Sequence, residues 1–343
     1  MGTAIDAVDR TQQRFSVLGY PLAVIYKYFD DQGNYLAAII TYYAFIAIFP
    51  LLLLGSSILG FFLEGNPELQ KDLLDSALAQ FPIIGDQLGR PEGLQGSVTV
   101  VVIGGLVALY GAMGLGQALQ NALNIAWSVP RNSRPNPILL RLKSLFLLLT
   151  AGIAVLSISV LSTLAANTEV LGETVSSYKW PITVITVVVN TIVLTALFRV
   201  GAARDHDIWR GSIPGALTAS LLWIGLQRLG TVYVTNVIGE TVGMNQTFAL
   251  VLGLIGLIWL TAALGVLGIE VNVVLERRLW PRALLTPFTD NVTLTDADRR
   301  AYAGYARAQR HKGFEQVEVT FTDTMKLRVV EAVEPDDDAD HAS

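Results

Sequence analysis

Four amides recur along one face of an otherwise apolar stretch: Gln117, Gln120, Asn121 and Asn124. At four-residue spacing they continue a line of small residues, Gly104, Ala108, Ala112 and Gly116. Residues four apart stack on one helix face, so a groove of small side chains runs into a stripe of hydrogen-bonding groups. Arg199 and Glu270 lie near the ends of two other apolar stretches. This set can bind and orient. It does not cleave, because amides do not titrate and the two charges come from distant segments. Two readings stand side by side. In one, the amides and an ion pair lock neighbouring helices, since an unpartnered amide in hydrocarbon costs several kcal/mol. In the other, they line a polar vestibule open to the cytoplasm and fitted to a substrate.

The reactive inventory is otherwise thin. The chain has no cysteine, which removes disulfides, thiolate metal sites and cysteine nucleophiles. His206, His311 and His341 are far apart. Arg204-Asp205-His206-Asp207 has ligand-type side chains, but neighbours on one short loop rarely hold a metal alone. No phosphate loop, zinc-protease motif, nucleophile elbow or basic-aromatic platform is present. The expectation is a protein that is not an enzyme, with no cofactor, no metal and no nucleic-acid partner. Its expected partners are membrane lipids and a small-molecule or lipid substrate, and a homo-oligomer is compatible with the sequence.

The elements that must position these residues are membrane spans. Of 343 residues 52% are hydrophobic and 15% charged, well below the ~25% charged of soluble chains. Residues 35–63 carry no charge at all, and ~20 apolar residues cross a bilayer core. Further such stretches cover 97–127, 139–166, 180–200, 208–237 and 246–275. The expected fold is all-α: a polytopic integral membrane protein with six transmembrane helices. Loop charges orient it. Arg131, Arg134, Arg141 and Lys143 follow the second span, and Arg199, Arg204 and Arg210 lie between the fourth and fifth. Arg277, Arg278 and Arg282 follow the sixth, whereas the loop after the first span has Lys71 and Arg90 against six acids. Basic and base-poor loops alternate, so both termini are expected in the cytoplasm. Pro67 to Phe81, in the first outer loop, has the apolar spacing of an amphipathic helix.

Three regions follow. Residues 1–34 form a cytoplasmic or interfacial leader, 35–275 the six-helix domain, and 276–343 an acidic, partly disordered cytoplasmic tail. The leader is not a cleavable signal peptide, because Asp6, Asp9, Asp30 and Asp31 flank no short apolar core. Its segment Tyr20 to Phe29, aromatic with Lys27 inside it, suits an interfacial helix. In the tail, Thr295 or Asp296 caps a helix, QVEVTF and KLRVV have strand-like composition, and a solvated appendage is the expected form.

Depth sorts the polar groups. Twenty residues, or ~30 Å of helix, separate Ser97 from Gln117, which puts the amides at the cytoplasmic end. Glu270 and Arg199 lie at that same end. Arg228 lies close to the outer surface, where it can snorkel. Glu270 is therefore expected to face Arg199, a basic loop residue or the amides, and not Arg228. Pro50 is expected to kink or break the first span in its outer half. If Pro50 and the amides both serve function, they are opposite gates of one path.

Several local patterns, taken in order, resemble the YihY/BrkB family of bacterial inner-membrane proteins. They are Ala38 to Pro50 with Tyr42-Tyr43, and Ala122-Leu123-Asn124-Ile125-Ala126-Trp127 with Pro135 beyond it. They continue with Trp209-Arg210-Gly211, Gly215-Ala216 and Gly268-Ile269-Glu270-Val271. The resemblance spans about Tyr28 to Arg278 and leaves out the acidic tail. It implies a six-span protein of the bacterial cytoplasmic membrane and leaves function open. A transporter or exporter of lipid or envelope precursors is the favoured expectation. A non-transporting envelope scaffold is the alternative. A membrane-bound ribonuclease, a name some members carry, is the remote one.

Overall fold

The computed structural model describes residues 2–62, 98–136, 138–146, 179–201, 209–233, 244–288 and 292–321. Every regular element among them is helical. The elements are α1 (Gly2–Arg14), α2 (Ser16–Asp30), α3 (Gly33–Phe62), α4 (Val98–Ala126), α5 (138–146), α6 (Lys179–Gly201), α7 (Trp209–Tyr233), α8 (Met244–Glu276) and α9 (Asp296–Ala308). A short 3₁₀ turn, Arg131–Ser133, links α4 to α5. The expected outer-loop helix, most of the third span, the Arg204–Asp207 loop and KLRVV lie outside the described residues. α3 is helical on both sides of Pro50, so the helix is not broken there.

The long helices carry few charges, and they turn apolar side chains outward. Leu106, Leu109 and Tyr110 of α4, Val184, Val188 and Ile192 of α6, Leu221 and Leu229 of α7, and Phe248 and Leu252 of α8 are all exposed. A water-soluble chain avoids so large an apolar belt. Among the described residues, Thr183–Gly201 and Val251–Glu276 are long and apolar enough to cross a membrane, with mean hydropathies of 2.0 and 2.3.

Glycines set how closely the helices approach. α7 and α8 meet where Gly215 faces Gly268. A Cβ on Gly215 would lie 1.9 Å from the Gly268 carbonyl oxygen, and one on Gly268 would lie 2.8 Å from Ala219 Cβ. The buried Asn272 side chain, one turn on, accepts a 2.7 Å hydrogen bond from the Gly215 N–H. α3 and α4 touch in the same way. A Cβ on Gly114 would fall 2.1 Å from the Tyr43 ring, and one on Gly111 3.0 Å from the Ala47 nitrogen. These are the small-residue contacts that let helices pack without a hydrophobic driving force.

α4 and α8 end alike. Beyond each last turn stands a non-glycine residue in the left-handed region, Ser128 (φ 48°) and Arg278 (φ 51°). The next N–H reaches back to close a Schellman cap: Val129 donates to the Asn124 carbonyl at 2.8 Å and Leu279 to the Val274 carbonyl at 3.0 Å. Arg277 then ties the two ends together. Its guanidinium donates to the Trp127 carbonyl and lies 5.9 Å over the Trp127 ring.

Leader and tail are built into this end of the bundle. Ala23 of α2, Leu123, Ala126 and Trp127 of α4, Phe198 of α6, Ile269 and Val273 of α8 and Ala301 of α9 form one buried cluster. The expected solvated appendage is thereby corrected for residues 276–288 and 292–308. The apolar Ala297 and Ala301 on one face of α9, and the charges described below, required burial that a charge count alone does not reveal. Thr295 is the N-cap of α9, as expected, with Asp298 completing a capping box. QVEVTF, read as strand-like, has no regular structure. Its alternation finds no partner among the described residues, and a lone strand leaves its backbone groups unpaired.

Gly268→Val should fold poorly, because the new side chain must displace the α7 backbone, at a cost of about 1–3 kcal/mol or more. Gly256→Ala is the control. Nothing lies within 4 Å of its added Cβ, so it should be neutral or raise stability by up to ~1 kcal/mol through helix propensity. Unfolding midpoints in detergent compare the two; equal midpoints would remove the close crossing.

Candidate functional site

The amides of α4 divide between two jobs. Gln120 is buried, and its side-chain nitrogen donates to Ser144 Oγ at 2.8 Å and to the Leu140 carbonyl at 3.0 Å. Gly116, one turn earlier, lets α5 in: a Cβ there would sit 2.5 Å from Ser144 Cβ. Gln120 therefore joins α4 to α5 and is not offered to a ligand. Gln117, Asn121 and Asn124 face a recess of about 290 Å³, walled by Ile39 and Tyr43 of α3 and floored by Arg134. That volume is at the lower end for a small-molecule site.

Arg134 gives the recess its charge. Its described partners are neutral: Nη1 donates to Asn121 Oδ1 and Nε to the Val129 carbonyl, both at 3.3 Å. Burial, with the nearby Arg131 charge, holds its pKa below the usual guanidinium value. It stays protonated, but the arrangement favours an incoming negative charge. The surroundings are amides, a tyrosine and one guanidinium, which suit an anionic or carbonyl-rich group of modest size.

Glu270 lies elsewhere. It is 0% exposed, and its ion-pair partner is Lys27 of α2, 1% exposed, at 3.5 Å. Lys27 also pairs closely with Asp31, one turn along α2. Ala23, Lys27 and Asp31 recur every four residues, so one face of α2 meets α8. The other face leaves Leu18, Ile25 and Phe29 exposed. Tyr305 of α9 closes the site, its ring 5.0 Å from Lys27 Nζ. Burial pushes the Tyr305 phenol far above its usual range, and Asp31 and Asp30 add to the effect.

A second buried charge system holds the tail. Arg282, 0% exposed, bonds Asp298 through Nε and Asp30 through Nη2 at 3.1 Å. Burial opposes the Arg282 charge, yet Asp298 and Asp30 outweigh it and hold its pKa above the usual value. The Ala283 N–H donates to Asp298 at 3.0 Å, and Gln12 of α1 donates to the Arg282 carbonyl at 2.6 Å. Residues near both ends of the described chain thus meet at one place.

The residues read from sequence therefore separate. Gln117, Asn121 and Asn124 come together. Gln120 turns to α5. Glu270 pairs with Lys27, a basic residue of the leader helix. Arg199 is half-buried in the last turn of α6, beside the buried Phe198, and Arg228 is exposed. Sequence reasoning missed Arg134 as a recess residue and Lys27, Asp31, Arg282 and Asp298 as buried charges. It counted Arg134 and Arg282 only as loop charge and placed Lys27 on an interfacial helix. The signal for α2 was present: a lysine and an aspartate four apart, preceded by alanine at the same spacing, inside an aromatic segment.

A sequence-family model described as virulence factor BrkB matches residues 24–289. The match takes in the recess, Lys27, Asp31, Glu270 and Arg282 and ends before α9. The inner membrane protein YhjD of Escherichia coli (strain K12) is 28% identical over 127 residues, 35% of this chain and 38% of that protein. The matched part thus spans well under half of that relative's length. No solved structure matches the chain.

Arg282→Met should lower stability by about 3–5 kcal/mol, because it strands Asp298 and Asp30 without their cation. Thr295→Ala should cost about 1 kcal/mol through its lost cap. Thermal unfolding of the purified protein compares them; an Arg282→Met midpoint no lower than that of Thr295→Ala would show that the buried cluster does not hold the tail.

Proposed function

The chain belongs to the virulence factor BrkB family of membrane proteins, and on that footing we propose that it is a six-span carrier of the cytoplasmic membrane for a small anionic solute or an anionic-headgroup lipid. Envelope precursors are the class that suits both descriptions. The relative named as an inner membrane protein supports the location. The apolar belt on α4, α6, α7 and α8 and the exposed apolar face of α2 support lipid as the surrounding partner.

One observation carries the transport reading: a polar recess with a guanidinium at its floor, at the expected cytoplasmic end of a bundle of apolar helices. A bundle needing only glue would close its amides on neighbouring helices, as Gln120 does with Ser144. Gln117 and Asn121 instead stand half-open around a space. Gln120 is also the specific observation that favours the second reading, a non-transporting envelope scaffold, because it shows the same stripe serving structure.

Reconstitution into proteoliposomes tests the choice. Wild type should pass an anionic solute or flip a fluorescent anionic lipid between leaflets. Arg134→Gln should cut the rate at least about tenfold, the effect of losing one charge-assisted bond of ~1.5–3 kcal/mol. Asn121→Leu should do the same, while Arg228→Gln should not. No flux by wild type over a broad panel would leave the scaffold reading.

Orientation has its own check, made simple by the absence of native cysteine. With both termini inside, Ser76→Cys should react with an impermeant maleimide from outside the cell, and Ser133→Cys only after lysis. The reverse pattern would overturn the topology.

A further inference from the structure

We infer that Asp31 and Glu270 form a proton-binding site, with one proton held between their two carboxyl groups beside Lys27. The site is distinct from the recess and stands whether or not the chain transports. The geometry sets the charge problem. Lys27, Asp31 and Glu270 are all buried, and Lys27 is the cation that pairs with both acids. The next groups out do not make up the difference, because Arg282 is already shared between Asp30 and Asp298. Among the described ion pairs, two cations therefore face four carboxyl groups, three of them buried. An uncompensated buried charge is so costly that a group takes up a proton instead.

Hydrogen bonding points to the same pair. Lys27 lies against Asp31 but 3.5 Å from Glu270. Neither Glu270 oxygen accepts a hydrogen bond among the described residues. Nearby donors are spent elsewhere: the Tyr28 hydroxyl donates to Asn34 at 2.9 Å and the Tyr305 hydroxyl to Asp30 at 3.3 Å. Asp31 and Glu270 converge on the same Lys27 ammonium, which brings their two carboxyl groups together. Two carboxylates cannot bond each other, but a carboxylic acid and a carboxylate can. A proton taken from solution on either one supplies the missing donor and leaves a single negative charge opposite Lys27. Burial also pushes the Asp31 carboxyl above its ordinary range, against the pull of Lys27.

The facing groups are thus Lys27, Tyr28, Asp30 and Asp31 from α2, Asp298 and Tyr305 from α9, and Arg282 from the connection between α8 and α9. Losing the proton sets two carboxylates against one ammonium across the α2–α8 contact. The native protein holds a proton at the Asp31 carboxyl above the ordinary carboxyl range, where an unfolded chain does not. Stability from this site is therefore present at low pH and is lost as pH rises through the raised pKa of Asp31.

Infrared spectroscopy of the full-length protein in lipid nanodiscs tests this. At about pH 7, where an exposed carboxyl is ionised, wild type should show a protonated-carboxyl C=O band that shifts in deuterium oxide and fades at higher pH. Glu270→Gln and Asp31→Asn should each lose it, since one carboxylate then suffices for Lys27. The wild-type unfolding midpoint should fall with rising pH, and that of Glu270→Gln should not. Absence of the band in wild type, or its survival in both variants, overturns the inference. So does a missing band with a midpoint raised by sodium or potassium, which would make the pair a cation site. Should the variants fail to fold, the wild-type band and its pH course still decide.

Discussion

Buried charge must be answered by charge or by a proton, and the end of the bundle where α4 and α8 close is organised by that constraint. Glu270 sits on the last long helix at 0% exposure. Lys27 can reach it only if α2 lies against α8 along the face of Ala23, Lys27 and Asp31. Once α2 is held there, Asp30, next to Asp31 but turned to the other side of the junction, needs its own cation. Arg282 supplies it, and Asp298 of α9 completes the set. Each ionic contact thus fixes one more segment. What composition alone assigns to a leader and a tail becomes part of the same packed end. Buried ion pairs add little net stability against an apolar alternative, but breaking one is expensive. Their effect here is to specify which segments meet.

The apolar packing is arranged around the same place. Trp127 closes α4, lies under Arg277 of the α8 cap and shares a buried cluster with Ala23, Val273 and Ala301. Small residues keep that cluster tight. Gly215 and Gly268 bring the α7 and α8 backbones into contact, and Asn272 turns the contact into a hydrogen bond. Interhelical contact of this kind depends on shape, since lipid chains are as apolar as leucine. A single added carbon at the crossing is therefore felt directly at Glu270, two residues beyond Gly268.

Much of this architecture was legible in the sequence, and the reason is the bilayer. Long uncharged stretches leave few alternatives to helices, so α3, α4, α6, α7 and α8 fall where apolar runs predict them. The α9 cap was readable from Thr295 and its neighbours because capping is local. The amide stripe was readable as a face, since helix periodicity fixes which residues align. Periodicity does not say which neighbour each residue meets, so Gln120 could not be told from Asn121 until α5 was in place. The buried charges were least legible. Lys27 and Arg282 look like loop charges that orient a membrane protein, and they can serve in that way too. Lys27 and Asp31 are a local pair one turn apart, but the further acids that Lys27 and Arg282 meet lie 243 and 16 positions away, pairings no local pattern encodes.

The recess and the carboxyl pair are separate in chemistry but not in mechanics. Asn121 and Asn124 belong to the last turns of α4, and so do Leu123 and Ala126, which pack into the cluster containing Ala23 of α2. Ala23 is one turn from Lys27. The helix α2 that seats on α8 and the turn of α4 that presents the amides thus share one buried cluster. The path is short and made of fully buried side chains, the kind of contiguous contact through which coupling is carried. Arg134 extends it, since its Nη1 donates to Asn121 at the rim of the same turn. If a protonation event at the carboxyl pair and an anion in the recess each bias the position of one helix end, both act on one equilibrium. Coupling between them would then be reciprocal, because two ligands that act on one equilibrium must affect each other equally.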